Sequence, residues 1–121
     1  MRILLAEDDI NISTITKMTL ESLGGHDVSL AKDGAEAFEK ASHGIFDLII
    51  LDEMMPKMNG LKVCEKLIEQ SDFSTPIIFL SAQSQKTDTD QFIKLAQGYI
   101  SKPFDPLTLN SQIQEILGIA A

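Results

Sequence analysis

Several short apolar runs in the sequence end abruptly at a residue that is capable of chemistry. The residues that follow these runs are Glu7, Asp8 and Asp9, then Asp52, Ser81 and Lys102. Carboxylates crowded at one place repel each other and favour a hard divalent cation that prefers oxygen ligands. A hydroxyl and an ammonium group beside them would suit an anion bridged to that metal, and phosphoryl is the first candidate. An aspartate can itself accept a phosphoryl group on its carboxylate and form an acyl phosphate.

Each of these residues, taken alone, also has an ordinary structural interpretation. A charged residue after a strand is usually a solvated loop residue, and Ser81 or Lys102 alone would suit a helix cap or an exposed loop. Four runs that all end in groups suited to one pocket are much less expected by accident. The residue types leave open which of Glu7, Asp8 and Asp9 would bind the metal.

The apolar runs predict a sheet whose strands are buried on both faces. They cover residues 3–6, 28–31, 46–51, 77–80 and 99–101. Most of them lack polar alternation, which is typical of parallel strands covered by helices on both sides. Because ligands bind at the carboxyl ends of such strands, the chemically capable residues are expected at one edge of the sheet.

Amphipathic stretches between the runs predict five helices. They lie near residues 12–23, 35–41, 61–68 and 92–96, with a last helix opened by Asp105 and Pro106. In the first helix the predicted buried stripe is Ile12, Ile15, Thr16, Thr19, Leu20 and Leu23. Alternating strands and helices predict an α/β domain with a doubly wound parallel sheet of five strands.

Composition and charge exclude several classes of protein. The chain has 121 residues, which suits one domain, and 18 acidic against 10 basic residues give a net charge of −8. This charge disfavours direct binding to nucleic acid or to anionic membranes. The single Cys64 excludes an internal disulfide and a multi-cysteine zinc site. We therefore expect a small soluble domain in the cytoplasm.

The sequence resembles the receiver domains of two-component response regulators over essentially its whole length. The motifs that carry the resemblance are ILLAED at 3–8, DEMMPKMNG at 52–60, LSA at 80–82 and YISKPF at 99–104. The D-x-x-M-P-x-M-x-G pattern is highly specific by itself. The resemblance implies a flavodoxin-like receiver fold with strand order 2-1-3-4-5. It also implies one receiver domain over residues 1–121, which we expect to act as a stand-alone receiver without an output domain.

The resemblance assigns a role to each acidic residue. It makes Asp52 both the phosphoacceptor and a metal ligand, Asp8 a direct ligand of Mg²⁺ (or Mn²⁺), and Glu7 a ligand that acts through water. The backbone carbonyl of Met54 would be the remaining protein ligand. Asp9 then falls outside the acidic pair and is expected to start a helix.

The resemblance also implies how the phosphoryl group is held and sensed. Lys102 would bind a phosphoryl oxygen, Ser81 would move toward the group and hydrogen-bond it, and Tyr99 would turn inward when Ser81 moves. The residues expected to shape the loops around the site are Pro56, Gly60 and Pro103, the last in a cis peptide bond.

These roles imply a phosphorylation switch rather than an enzyme. A sensor histidine kinase or a histidine phosphotransfer protein would phosphorylate Asp52. The surface formed by the predicted fourth helix, the fifth strand and the last helix would then change its affinity for a downstream protein. We expect a monomer or a weak dimer that depends on phosphorylation. The resemblance also implies that Met54 and Gln83 hold positions that tune the access of attacking water, and the large apolar side chain of Met54 then predicts slow loss of the phosphoryl group.

Two other classes of function are weighed against the switch. A phosphatase with an aspartyl nucleophile needs a second acid two residues later, where this chain has Met54. A binding module that has lost phosphorylation would usually lack the acceptor, an acid or the lysine, and this chain keeps all of them.

The sequence departs from the usual receiver pattern between Ser81 and Lys102. This segment is about one residue shorter than is usual in the family, and it has Leu95-Ala96 in place of the customary Gly-Ala pair.

Overall fold

Five parallel strands form one sheet in the computed structural model, which describes residues 1–53, 55–70, 73–81, 97–101 and 104–118. The strands are β1 (Arg2–Ala6), β2 (Asp27–Ala31), β3 (Leu48–Asp52), β4 (Ile77–Ser81) and β5 (Gly98–Ser101). Their order across the sheet is β2-β1-β3-β4-β5, and every neighbouring pair is parallel. The predicted fold class and strand order are confirmed.

The described residues contain four helices: α1 (Ile10–Gly24), α2 (Gly34–His43), α3 (Gly60–Ile68) and α4 (Pro106–Leu117). The helix predicted near residues 92–96 lies outside the described residues. Each helix starts at a side chain that accepts backbone N–H groups of its first turn, as N-cap residues do. These residues are Asp9, Asp33, Asn59 and Asp105. In the part of the chain that the structure describes, no helix has the length and apolar character needed to cross a membrane.

Two apolar layers, one on each face of the sheet, form the core. One layer packs α2 and α3 against alternate strand residues such as Leu4, Ile49 and Phe79. The other packs α1 and α4 against the intervening ones, such as Leu5 and Ile50. Because both faces are covered, every residue of β3 is buried.

The buried face of α1 differs from the predicted stripe. Ile15 and Leu23 are 53% and 59% exposed, so their assignment to the core is wrong. The buried residues are Ser13, Thr16 and Leu20. The hydroxyls of Ser13 and Thr16 donate to carbonyls one turn earlier in the same helix, at 3.2 and 2.7 Å. Their polar groups are therefore satisfied inside the helix, and the two residues can be buried without cost from an unpaired hydroxyl.

Candidate functional site

Three carboxylates meet at the carboxyl edge of the two central strands. Ala6 pairs with Leu51 in the ladder of β1 and β3, so Glu7 lies level with Asp52. Carboxylate oxygens of Glu7, Asp8 and Asp52 all lie within 4.8 Å of one another. Glu7 and Asp52 are buried, whereas Asp8 is exposed. The structure thus brings together the three acids that the sequence analysis assigned to one site.

Asp9, the fourth acid of this region, serves the neighbouring helix instead. One oxygen of its carboxylate accepts the N–H groups of Asn11 and Ile12, at 2.9 and 3.3 Å. Its own N–H donates to Oε2 of Glu7 at 3.2 Å. Asp9 is therefore the N-cap of α1, as predicted. Because the Asp9 carboxylate caps α1, Glu7 and Asp8 are the two acids that cluster with Asp52.

The donor set of this cluster fits a hard divalent cation. Three carboxylates offer only oxygen ligands, which Mg²⁺ and Ca²⁺ prefer over softer metals. Mg²⁺ usually keeps several waters and takes one or two protein carboxylates, and the exposed side of the cluster at Asp8 leaves room for water. The acidic cluster is therefore a candidate metal site.

Gly60 brings the start of α3 against the backbone of Asp52. A Cβ atom at this position would overlap the carbonyl oxygen of Asp52. The N–H of Gly60 donates to the carbonyl of Glu53 at 3.1 Å, and the N–H of Glu53 donates to Leu80 of β4 at 3.0 Å. Close backbone approach of this kind requires glycine. The end of β3 is thus held from both the helix side and the β4 side.

The start of α2 fixes the rest of the loop between β3 and α3. The N–H of Gly34 donates to the carbonyl of Pro56 at 3.3 Å. A Cβ atom on Gly34 would overlap the carbonyl oxygen of Met58. The structure therefore leaves space only for glycine at position 34. We call residues 56–58, with their contacts to Gly34, the loop clamp.

A charged contact completes the loop clamp. Lys57 has a φ of 69°, in the left-handed region that a lysine rarely adopts. Its Nζ lies 3.6 Å from Oδ2 of the buried Asp33. The backbone N–H of Glu36, together with Lys57, holds the pKa of Asp33 below its usual range. This contact was not predicted from the sequence, although the Asp33-Gly34 pair is a typical helix-start signal.

The remaining predicted site residues are only partly described. Ser81 is the last residue of β4, and its backbone pairs with Ser101 of β5, which puts this position at the same edge as Asp52. Tyr99 is half-buried in β5 and packs against the core layer of α2 and α3. The predicted residues that lie outside the described part of the chain are Met54, Gln83, Lys102 and Pro103.

Comparison with known families decides what this arrangement is. The family described as the response regulator receiver domain matches residues 3–114. The chain belongs to this family. Receiver domains are components of two-component signal transduction, and the family consists of phosphoacceptor switches that are typically not enzymes. The predicted resemblance to the family is confirmed.

Curated relatives of this receiver domain include transcriptional regulators. An uncharacterized transcriptional regulatory protein, YclJ of Bacillus subtilis, is 38% identical over 120 residues, which cover 97% of this chain and 51% of YclJ. The alkaline phosphatase synthesis transcriptional regulatory protein PhoP of the same organism is 38% identical over 117 residues, or 96% of this chain and 48% of PhoP. The chain spans about half the length of these curated relatives.

Solved structures of receiver domains match nearly the whole fold. The chemotaxis response regulator CheY4 of Vibrio cholerae is 33% identical with a TM-score of 0.87, covering 95% of this chain and 97% of that one. The receiver domain of the sensor histidine kinase PA1611 from Pseudomonas aeruginosa is 29% identical with a TM-score of 0.85, covering 97% of each chain. The PA1611 structure is described with a magnesium ion coordinated in its active site cleft.

Proposed function

We propose that this receiver domain is switched by Mg²⁺-dependent transfer of a phosphoryl group from a histidine kinase or a histidine phosphotransfer protein to Asp52. The observation that carries the proposal is the cluster of Glu7, Asp8 and Asp52 at the carboxyl edge of the sheet. Asp52 ends the central strand, and Gly60 and Glu53 fix its backbone. Such a fixed carboxylate is suited to act as a nucleophile.

In the proposed step, a carboxylate oxygen of Asp52 attacks the phosphorus of a phosphohistidine. The new bond joins this oxygen to phosphorus, the bond from phosphorus to the imidazole nitrogen breaks, and the imidazole keeps the electron pair and leaves. Asp8 would hold Mg²⁺ directly and Glu7 through water. Bound Mg²⁺ would neutralise charge on the phosphoryl oxygens.

We assign the phosphoryl contacts to the other strand ends. Ser81 and Ser101 pair at the carboxyl edge of β4 and β5, and Lys102 follows Ser101 directly in the sequence. Lys102 would neutralise a phosphoryl oxygen and Ser81 would hydrogen-bond another. The carbonyl of Met54 would complete the protein ligands of the metal, and its side chain would slow attack by water.

The switched surface is proposed to include β5 and α4. A groove of about 690 Å³ lies between these elements, and Tyr99, Phe104 and Ile116 are among its lining residues. An inward turn of the Tyr99 side chain would alter the shape of this groove, because Tyr99 is half-buried and lines it. The affinity of a downstream protein that docks on the groove would thus depend on whether Asp52 is phosphorylated. The curated relatives are named transcriptional regulators, and in them such phosphorylation-dependent docking would control transcription.

Phosphorus NMR tests the transfer and its lifetime together. Incubation of the chain with acetyl phosphate and Mg²⁺ is expected to give an acyl phosphate resonance that is absent without Mg²⁺ and that decays slowly. Backbone shifts at Tyr99 and Thr108 should follow the same time course. A protein that binds Mg²⁺ but never gives this resonance would instead be a binding module that works without phosphorylation.

A further inference from the structure

β2 is an edge strand, and side chains bind three of the four outward backbone groups of Val28 and Leu30. An edge strand presents N–H and C=O groups that can pair with a strand of another chain, and this pairing leads to aggregation or unwanted dimers. Among the strands of the described residues, β2 has β1 on one side and no neighbour on the other. Two helices, one on each face of the sheet, send charged side chains over this open edge.

The first pair of side chains comes from α1. Nζ of Lys17 donates to the carbonyl of Val28 at 2.7 Å. Oε2 of Glu21 accepts the N–H of the same Val28 at 3.2 Å, and the two side chains are joined at 3.0 Å. One residue of an added antiparallel strand would make these same two bonds, a donation to the carbonyl and an acceptance from the N–H.

The second pair comes from α2, which covers the opposite face of the sheet. Nζ of Lys40 donates to the carbonyl of Leu30 at 2.6 Å. Oε1 of Glu36 accepts the N–H of Lys32 at 2.7 Å, and Oε2 of Glu36 lies 3.8 Å from Nζ of Lys40. The two pairs therefore bind four backbone groups along one edge, from Val28 to Lys32.

We propose that the pairs Lys17–Glu21 and Glu36–Lys40 form an edge guard that keeps β2 of a second copy from adding to this sheet. The sequence of β2 makes a second copy the relevant occupant. An antiparallel pairing with a two-fold axis at Ser29 sets Val28 opposite Leu30 of the second copy. These two residues carry three of the four guarded backbone groups.

Charge within β2 does not oppose such a pairing. Residues 28–31 of the strand are Val, Ser, Leu and Ala, so no like charges would face each other at its centre. Charged residues on an edge strand are a common protection against pairing, and here the protection comes from the flanking helices instead. The edge guard does not depend on Asp52, because it lies along the length of β2 and not at the carboxyl edge of the central strands, where Asp52 lies.

The experiment removes the edge guard with alanine, which keeps helix propensity high. The guardless variant is Lys17→Ala, Glu21→Ala, Glu36→Ala and Lys40→Ala, and it leaves the net charge at −8. The matched control, Lys62→Ala with Glu65→Ala, removes one lysine and one glutamate from exposed positions on α3. Mass is measured by light scattering over a range of concentrations, and amide hydrogen exchange by NMR.

The edge guard predicts two linked changes in the guardless variant. At low concentration the amides of Val28 and Lys32 should exchange about fivefold faster, since each loses one hydrogen bond. At high concentration a dimer should form and the Val28 amide should become protected again. The α3 control should stay monomeric with unchanged exchange at both amides.

Two results would overturn the proposal. One is a folded guardless variant that remains monomeric at the highest concentration reached. The other is unchanged exchange at Val28 in the single variant Glu21→Ala, which alters one half-buried side chain and tests the edge guard even where the fourfold variant fails to fold.

Discussion

Asp52→Asn is expected to stabilise the metal-free protein, because it removes one charge from a crowded acidic cluster. Asp52 and Glu7 are both buried, with carboxylate oxygens within 4.8 Å of each other. Two unit charges at this separation repel by about 3.5 kcal/mol at an effective dielectric constant of about 20. Salt screens a buried pair only weakly. Asparagine keeps the shape of aspartate and removes this repulsion.

Other interactions of Asp52 reduce the net gain in stability. Asp52 takes part in at least one further contact, and the substitution would alter it. We therefore expect the free energy of unfolding to rise by about 1 to 3 kcal/mol in the variant. For a domain of this size, each kcal/mol raises Tm by about 4 °C.

Urea unfolding with EDTA or with Mg²⁺ measures this effect. Far-UV circular dichroism is the suitable signal, because the chain has no tryptophan. Mg²⁺ at about a hundredfold excess over its Kd should stabilise the wild type by about 2.7 kcal/mol, and the variant by clearly less. Asp27→Asn, at an exposed position at the opposite end of the sheet, is the control and should change neither value. Repulsion within the acidic cluster is refuted if Asp52→Asn is no more stable than the wild type in EDTA, and metal binding by Asp52 is refuted if the variant gains as much stability from Mg²⁺.

Three further predictions concern other parts of the molecule. Gly34→Ala should lower the free energy of unfolding by about 2 kcal/mol or more, because its Cβ overlaps Met58; calorimetry showing no change in Tm would contradict the loop clamp. Burial raises the pKa of Cys64 to about 12, so its thiol should resist a disulfide reagent at neutral pH until the protein unfolds; labelling of folded protein at the unfolded rate would refute this. A hydrogen bond from Lys17 lowers the pKa of Glu21 from its ordinary 4.5, so its stabilising effect should be complete above about pH 4.5 and be lost as pH falls through the lowered value. Glu21→Gln should therefore be less stable than wild type at neutral pH and equal to it in acid, whereas a constant difference at all pH values would argue against it.

Strands and strand ends were the features most accessible to prediction. Residues 48–51 and 77–80 are continuous apolar runs, and such runs are typical of strands covered on both faces. The topology then carries Glu7 and Asp52 to one edge without further information. The role of Asp9 was harder, because acid type alone does not separate a helix cap from a metal ligand. The resemblance to the family supplied the assignment, and the hydrogen bonds of Asp9 confirm it.

Contacts between elements distant in sequence could not be predicted. The predicted buried stripe of α1 was wrong at Ile15 and Leu23. Apolar periodicity considers only apolar side chains, so it overlooks buried hydroxyls that are hydrogen-bonded within the helix. The loop clamp depends on a backbone approach between Gly34 and Met58 that no local pattern encodes. The edge guard likewise requires knowing which strand lies at the edge of the sheet. Side-chain types at these positions are ordinary, and only their placement gives them a role.

The central claim is that Asp52 accepts a phosphoryl group in the presence of Mg²⁺. Its most direct test is the intact mass of the chain after incubation with phosphoramidate or acetyl phosphate, with Mg²⁺ and with EDTA. Asp52→Asn and the distant Asp47→Asn would be treated in the same way. We expect one added phosphoryl group on the wild type and on Asp47→Asn, in the presence of Mg²⁺ only, and none on Asp52→Asn. An adduct that persists in Asp52→Asn, or no adduct on a wild type that binds Mg²⁺, would contradict it.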